Sequence, residues 1–237
     1  MKKIILACET IKDELMEAMA NVREETPVIW IESGLHDKPC ELGRTIQQEI
    51  EALAPGIFDM VVLGFGFCGN AVTGLVSDDF KLVIPRAEDC ISLLLNGAGN
   101  TAAEEDFSAG RTYYLTEGWL QNERNIWREY QHAVRRFGLK RADGMFHRML
   151  KHYDNLALID TGAFSIDEVY RRVQAIAERL NLEPRLIEGS TRYFRRLVTG
   201  PYTAEDFVVL PPGEEVTYKR LREKKPLPGS GQTGEYR

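Results

Sequence analysis

The sequence predicts an α/β fold with mostly parallel sheets, helices on both sheet faces and two Rossmann-like lobes. Short runs of consecutive apolar residues alternate with longer segments of helical periodicity. The short runs are apolar on both faces, as in parallel strands that are buried on both sides. The spacing of the predicted strands and helices changes near residue 105. We therefore expect an N-terminal lobe at 1–105, a C-terminal lobe at 106–218 and a basic, flexible tail at 219–237.

The first half predicts four strands. They are expected at residues 4–8, 28–31, 60–63 and 82–84. Two helices are expected between them, because apolar residues recur there at helical spacing. The second of these helices follows Pro39 and ends before Pro55 and Gly56.

The second half also alternates predicted strands and helices, but with different spacing. Strands are expected at residues 112–115, 156–159, 185–187 and 207–210. Helical patterns cover residues 122–137, 141–152 and 166–180, and a short helix follows Ser190.

Composition excludes several classes of function. A net charge of −6 and a pI near 5.4 give no overall attraction to nucleic acid or to an anionic membrane. No apolar run reaches the roughly 20 residues that span a bilayer. Four cysteines without a secretory signal indicate a reducing compartment. We therefore expect a cytoplasmic protein without a nucleic-acid or membrane partner, and a homo-oligomer is compatible with the sequence.

Three cysteines follow the ends of predicted strands. Cys8 ends the first strand, Cys68 comes just beyond the third and Cys90 just beyond the fourth, while His36 follows the second. Ligands of doubly wound sheets bind at this edge, where the carboxyl ends of the strands meet. These four side chains are therefore candidate metal ligands, whereas Cys40 lies at the start of a helix and is interpreted as structural.

Thiolates and imidazole are the usual ligands of zinc, and sets of thiolates bind iron–sulfur clusters. Zinc is the favoured metal, an iron–sulfur cluster is the alternative, and a corrinoid is a further candidate cofactor. Cysteine also packs as a small buried apolar residue, and the chain has no close C-x-x-C pair. From strand-end spacing alone, a metal site and simple packing are about equally supported.

A glycine-rich turn surrounds Cys68. Gly64, Gly66 and Gly69 match G-x-G-x-x-G, and Glu88 or Asp89 stands about 20 residues downstream, as a ribose-binding carboxylate would. A nucleotide site is thus an alternative, but tight turning beside Cys68 is the preferred explanation, because the motif follows the third strand and the next segment is a poor helix. The other candidate cofactor-binding residues are Asn70, Arg86 as an anion clamp or an ion-pair partner of the nearby acids, and Trp119 as an aromatic wall.

The motifs, taken in order, resemble the family called domain of unknown function 1638. The resemblance covers nearly the whole chain before the basic tail. It is carried by Ala7-Cys8-Glu9, Gly34-Leu35-His36-Asp37, Gly64-Phe65-Gly66-Phe67-Cys68-Gly69-Asn70, Ile84-Pro85-Arg86-Ala87-Glu88-Asp89-Cys90-Ile91, Tyr113-Tyr114-Leu115-Thr116-Glu117-Gly118-Trp119, Ile159-Asp160-Thr161-Gly162, Gly189-Ser190 and Leu197-Val198-Thr199-Gly200-Pro201.

The resemblance implies a role in corrinoid and methyl-group chemistry, because members are often encoded beside corrinoid-dependent methyltransferases and their corrinoid proteins. The family pattern covers Cys8, His36, Cys68 and Cys90 and has no counterpart of Cys40. Many relatives carry histidine where this chain has Glu88.

Three functions follow as hypotheses. The first is a metal- or metallocofactor-binding protein of methyl-group metabolism, with the three cysteines as ligands and His36 as a fourth ligand or a supporting group. The second is a nucleotide-dependent enzyme that uses residues 64–69. The third is a non-catalytic adaptor whose helices at 122–152 and basic tail dock an acidic corrinoid protein or methyltransferase.

Overall fold

The computed structural model describes residues 2–23, 25–95 and 110–223. Its strands follow the predicted apolar runs closely. They are β1 Lys3–Cys8, β2 Val28–Ile31, β3 Met60–Gly64, β4 Lys81–Pro85, β5 Thr112–Leu115, β6 Asn155–Asp160, β7 Glu183–Glu188 and β8 Phe207–Leu210.

Helices connect most of these strands. They are α1 Lys12–Val22, α2 Pro39–Glu51, α3 Cys90–Leu95, α4 Glu117–Gln121, α5 Ile126–Phe137, α6 Leu139–Met149, α7 Ile166–Leu180, α8 Arg192–Thr199 and α9 Tyr218–Arg222. Short 3₁₀ turns, Glu9–Ile11 and Ser33–Asp37, follow β1 and β2. Among the described residues, no helix combines the length and the apolar character needed to cross a bilayer.

Two sheets confirm the predicted α/β class. The first has the strand order β2-β1-β3-β4-β8, and the second has the order β5-β6-β7. All neighbouring strands are parallel except β8, which runs antiparallel to β4. Alternate residues of β1 enter two different cores, with Ile5 and Ala7 on one face and Ile4 and Leu6 on the other. The first sheet is therefore buried on both faces, as the continuous apolar runs predict.

The strand order places a binding position at the carboxyl ends of β1 and β3. From β1 the chain first adds β2 on one side and then β3 on the other, so the order reverses between β1 and β3. The loops that leave these two strands diverge there, which opens a crevice above the sheet edge. Cys8 is the last residue of β1, and the loop after β3 contains Cys68.

The two halves of the chain are interleaved. Strand β8 pairs with β4, so the first sheet takes its last strand from the far end of the chain. Helix α8 packs on α1. The predicted lobe boundary near residue 105 lies outside the described residues. At the start of the expected tail, residues 219–222 belong to α9, where Leu221 is buried; residues 224–237 lie outside the described part.

Candidate functional site

The three predicted cysteines line one cavity at the edge of the first sheet. Its volume is about 20 Å³, enough for one water molecule or one ion. Cys8 is the last residue of β1, Cys68 lies in the loop after β3 and Cys90 is the first residue of α3. The other lining residues are Thr10, Glu32, His36, Leu42, Phe65 and Trp119.

The Thr10 hydroxyl links two of the thiols. Thr10 is 2% exposed, and its Oγ1 donates a hydrogen bond to the Cys8 sulfur at 3.1 Å. The same hydroxyl lies within hydrogen-bonding reach of Cys90. Sequence reasoning missed Thr10, because a threonine two residues after a strand is common at the start of a helical turn. Glu32, also missed, lies between β2 and the turn that carries His36.

Burial keeps all three thiols in the neutral form. Desolvation raises the pKa of Cys8, raises that of Cys68 to about 12 and raises that of Cys90 well above its ordinary value. The neighbouring thiols and Asp89 raise the pKa values of Cys68 and Cys90 further. Hydrogen bonds from Thr10 oppose this effect at Cys8 and Cys90 without overcoming it. The cavity therefore does not activate a free thiolate, but a bound cation would strongly stabilise the thiolate form.

The loop that carries Cys68 is held in an unusual conformation. Cys68, Gly69 and Asn70 have φ angles of 45°, 65° and 72°. A left-handed backbone is costly for a non-glycine residue such as Cys68 and persists only where surrounding contacts enforce it. The Cys68 amide donates to the Glu88 carbonyl at 2.9 Å, and the neighbouring Phe67 amide donates to the Ala87 carbonyl at 2.7 Å. These bonds tie the loop after β3 to the segment that leads to Cys90.

Close packing explains the glycines of the turn. A Cβ atom on Gly64 would lie 2.7 Å from the Ala7 Cβ, and one on Gly66 would lie 2.4 Å from the Asp89 Cα. Gly69 has a positive φ. Residues 68–74 form turns, and no helix begins there. The loop thus lacks the helix N-terminus on which a dinucleotide-binding turn places its phosphates, and Asn70 lies in the turn with its side chain exposed.

Arg86, Glu88 and Asp89 do not line the cysteine cavity. Arg86 donates from Nε to the Ala204 carbonyl at 2.8 Å and from Nη1 to the carbonyls of Arg220 and Leu221 at 3.0 and 2.7 Å. It therefore clamps the C-terminal segment instead of pairing with a nearby acid. Glu88 pairs with Arg222 on the surface at 3.1 Å.

Asp89 has a local structural role. Its Oδ1 accepts hydrogen bonds from the amide and the hydroxyl of Ser92, both at 2.8 Å. These contacts stabilise the beginning of α3, the helix that starts at Cys90. Both carboxylates thus have partners within the protein in this arrangement.

His36 and Trp119 form the outer wall of the cavity. Their rings meet edge to face, with centroids 5.7 Å apart and planes at 68°. His36 Nδ1 is bonded to the Ser33 carbonyl, while Nε2 lies 3.1 Å from Asp37 Oδ1. Trp119 is brought close by Gly118, where a Cβ would lie 2.4 Å from the Thr10 carbonyl oxygen. The second half of the chain thus completes a site whose cysteines all come from the first half.

The four predicted metal ligands meet at one cavity without forming a finished coordination shell. Among the described residues, no group of three or more histidine, cysteine, aspartate or glutamate side chains is placed so that it could hold a metal ion. Cys40 is exposed on α2 and does not line the cavity. The arrangement therefore provides donor atoms and room for one ion, but the side chains would have to turn to ligate it.

A protein-family model matches most of the chain. The family model described as a protein of unknown function, DUF1638, matches residues 30–198. The chain belongs to the DUF1638 family. The part of this DUF1638 protein that matches includes His36, Cys68, Cys90 and Trp119, whereas Cys8 precedes it. Comparison with curated proteins and with solved structures finds no match.

Proposed function

We propose that this protein binds a metal ion in the cavity between Cys8, Cys68 and Cys90. The observation that carries the proposal is that three cysteines, at or beyond the carboxyl ends of the neighbouring strands β1, β3 and β4, line one cavity of about 20 Å³. Packing alone does not require three thiols at the position where α/β sheets bind their ligands. His36 is the fourth ligand or a supporting group.

The chemistry of the cavity favours zinc. Burial makes each free thiolate unfavourable, and a divalent cation reverses that preference because it neutralises the negative charge. Zinc accepts a set of three thiolates and one imidazole in tetrahedral geometry. The small volume favours a single ion over an iron–sulfur cluster of several atoms. A site of this kind keeps a thiolate reactive at neutral pH, which suits thiol or methyl transfer.

Ligation requires the cysteine side chains to turn toward one point, and it requires local movement at His36. Its Nδ1 bond to the Ser33 carbonyl would orient the ring, as second-shell carbonyls do for many metal-binding histidines. Its Nε2 would have to leave Asp37 and turn toward the sulfurs. Because Asp37 is an exposed carboxylate, this exchange has a small cost.

The proposed setting is corrinoid and methyl-group metabolism, and the resemblance of the ordered motifs supports it. A corrinoid macrocycle is far larger than the cysteine cavity. In this proposal the corrinoid therefore stays on a partner, a corrinoid protein or a methyltransferase. Cys8, Cys68 and Cys90 would hold the metal, which would keep a thiolate reactive toward that partner.

Elemental analysis of protein purified without oxygen tests the proposal. The wild type should contain about one metal ion per chain, and C8S, C68S and C90S should each lose most of it. C40S is the matched control, since Cys40 is an exposed cysteine outside the cavity. Addition of Co²⁺ to the metal-free protein should produce thiolate-to-cobalt absorption in the wild type and in C40S only. A wild type that holds no metal and takes up no Co²⁺ would overturn the proposal.

A further inference from the structure

A second and larger cleft lies on the other side of the His36–Trp119 wall. Its volume is about 300 Å³, at the lower end of the range for small-molecule sites. It is formed between the turn after β2 and the elements around β5, so both halves of the chain contribute. The lining residues are His36, Asp37, Tyr113, Trp119, Arg124, Ile126, Glu129, Met149, Leu150 and Tyr153.

Aromatic rings at steep angles dominate this cleft. Tyr113 and Tyr153 meet edge to face, with centroids 5.5 Å apart and planes at 74°. Trp119 and His36 form the second such pair. Within each pair the two rings touch, so the faces that remain for a ligand are those turned away from the partner ring.

No cation of the described residues lies over the rings of Tyr113, Trp119 and Tyr153. Elsewhere Tyr130, Tyr193 and Tyr218 each have an arginine over the ring at 5.1–5.5 Å. The ring faces that are not covered by an edge-to-face partner are therefore open to a cation from outside.

The charges around the rings also favour a cation. Asp37 and Glu129 contribute two carboxylates, against one guanidinium from Arg124. Both carboxylates act on Tyr113, whose pKa is raised to about 12 by burial first and then by Glu129, Tyr153 and Asp37. The lining of the cleft therefore carries a net negative charge as well as aromatic rings.

We propose that this cleft binds a small organic cation of the methylated-ammonium class. Methylated ammonium groups are weakly hydrated, and the faces of aromatic rings attract their charge. The apolar side chains of Ile126, Met149 and Leu150 suit the methyl groups. A ligand held there would place a methyl group against the wall of the cysteine cavity; this link to chemistry rests on the proposed function, whereas binding in the cleft does not.

Titration with choline and with its neutral isostere 3,3-dimethylbutan-1-ol tests the proposal. Choline should bind saturably and at least about tenfold more tightly than the alcohol, because only choline carries charge. Tetramethylammonium should compete with it. Equal binding of the alcohol, or no saturable choline binding at millimolar concentrations, would overturn the proposal.

Matched variants locate the site. Y153L should weaken choline binding about tenfold, while Y153F should restore it, because the ring and not the hydroxyl makes the contact. E129Q should weaken it less. W30L is the control, since Trp30 is a half-buried tryptophan on β2 outside the cleft. Unchanged affinity in folded Y153L would contradict the assignment.

The cysteine variants separate this inference from the proposed function. C8S and C90S should lose metal yet retain the choline affinity of the wild type. If the wild type binds choline but no metal, the cleft assignment stands and the metal proposal fails. If it binds metal but no choline, the metal proposal stands and the cleft assignment fails.

Discussion

Gly66 lies directly against the backbone of Asp89, where a Cβ atom on the glycine would come within 2.4 Å of the Asp89 Cα. The two residues belong to the segments that carry Cys68 and Cys90. Two backbone hydrogen bonds, from Phe67 and Cys68 to Ala87 and Glu88, hold the same segments together. The approach of the second and third thiols therefore depends on the absence of a side chain at position 66.

The first prediction concerns this contact. G66A should lower the free energy of unfolding by about 3 kcal/mol, because the obstructing atoms belong to the backbone and cannot rotate away. G144A is the control: Gly144 lies in α6 with open space around it, so alanine should be neutral or stabilising by up to about 1 kcal/mol. Urea unfolding measures both. Equal stability of G66A and the wild type would refute the packing role.

The second prediction concerns thiol reactivity in the metal-free protein. Cys40 is exposed, whereas Cys68 has a pKa of about 12 and Cys8 and Cys90 have raised pKa values. Iodoacetamide should therefore label Cys40 quickly at pH 7 and the other three slowly. Mass spectrometry should show about one label per chain, which is lost in C40S. The rate at Cys68 should rise about tenfold per pH unit up to pH 10, since only the thiolate reacts; a plateau near pH 8 would contradict the raised pKa.

A buried carboxyl group joins the two halves of the chain. Glu14 on α1 is fully buried, and its Oε1 accepts a hydrogen bond from the Thr161 hydroxyl at 3.1 Å, beyond the end of β6. Its Oε2 has no hydrogen-bond partner in the described part of the structure. The pKa of Glu14 is raised to about 7, mainly by burial and to a smaller extent by nearby Asp13, while the hydrogen bond from Thr161 opposes the shift.

The third prediction follows from Glu14. Below about pH 4.5 the carboxyl is protonated in both the folded and the unfolded chain, so it carries no penalty. Between that pH and 7 the unfolded chain loses the proton while the folded protein retains it, and stability falls. Above pH 7 the penalty is complete, at about 3 kcal/mol. E14Q should therefore be more stable than the wild type at pH 8 and lose this advantage by pH 4.

Chemical denaturation at several pH values measures the difference. E17Q is the control, because Glu17 lies on the same helix and is partly exposed. A difference between E14Q and the wild type that does not change with pH would contradict the assignment.

The fourth prediction concerns Arg86. Its three hydrogen bonds to main-chain carbonyls connect the end of β4 to Ala204 and to α9. R86M keeps much of the side-chain volume but removes these bonds, so unfolding should become easier by about 2 kcal/mol. Limited proteolysis should then cleave near α9 faster than in the wild type. Unchanged proteolysis and stability would show that the carbonyls find other partners.

Local patterns predicted the elements but not the contacts between distant segments. Strands 28–31, 112–115 and 207–210 have the predicted bounds, because each is a short run of strand-favouring residues that polar residues or prolines delimit. The cysteines could be placed together because parallel strands share a carboxyl edge. The partners of Arg86, by contrast, lie 118 to 135 residues away and are main-chain atoms. No side-chain pattern encodes such a contact. The antiparallel pairing of β8 with β4 could not be predicted for the same reason, because main-chain atoms make it.

The last prediction is that Glu88 does not bind the metal. The family resemblance implies histidine at this position in many relatives, which would make it a candidate ligand. Here its carboxylate pairs with Arg222 on the surface and does not line the cysteine cavity. E88A and E88H should therefore keep the metal content of the wild type, in contrast to C90S two residues later. E88A should change stability by less than about 1 kcal/mol, as for an exposed ion pair. Loss of metal in folded E88A would show that the carboxylate turns inward when the ion binds.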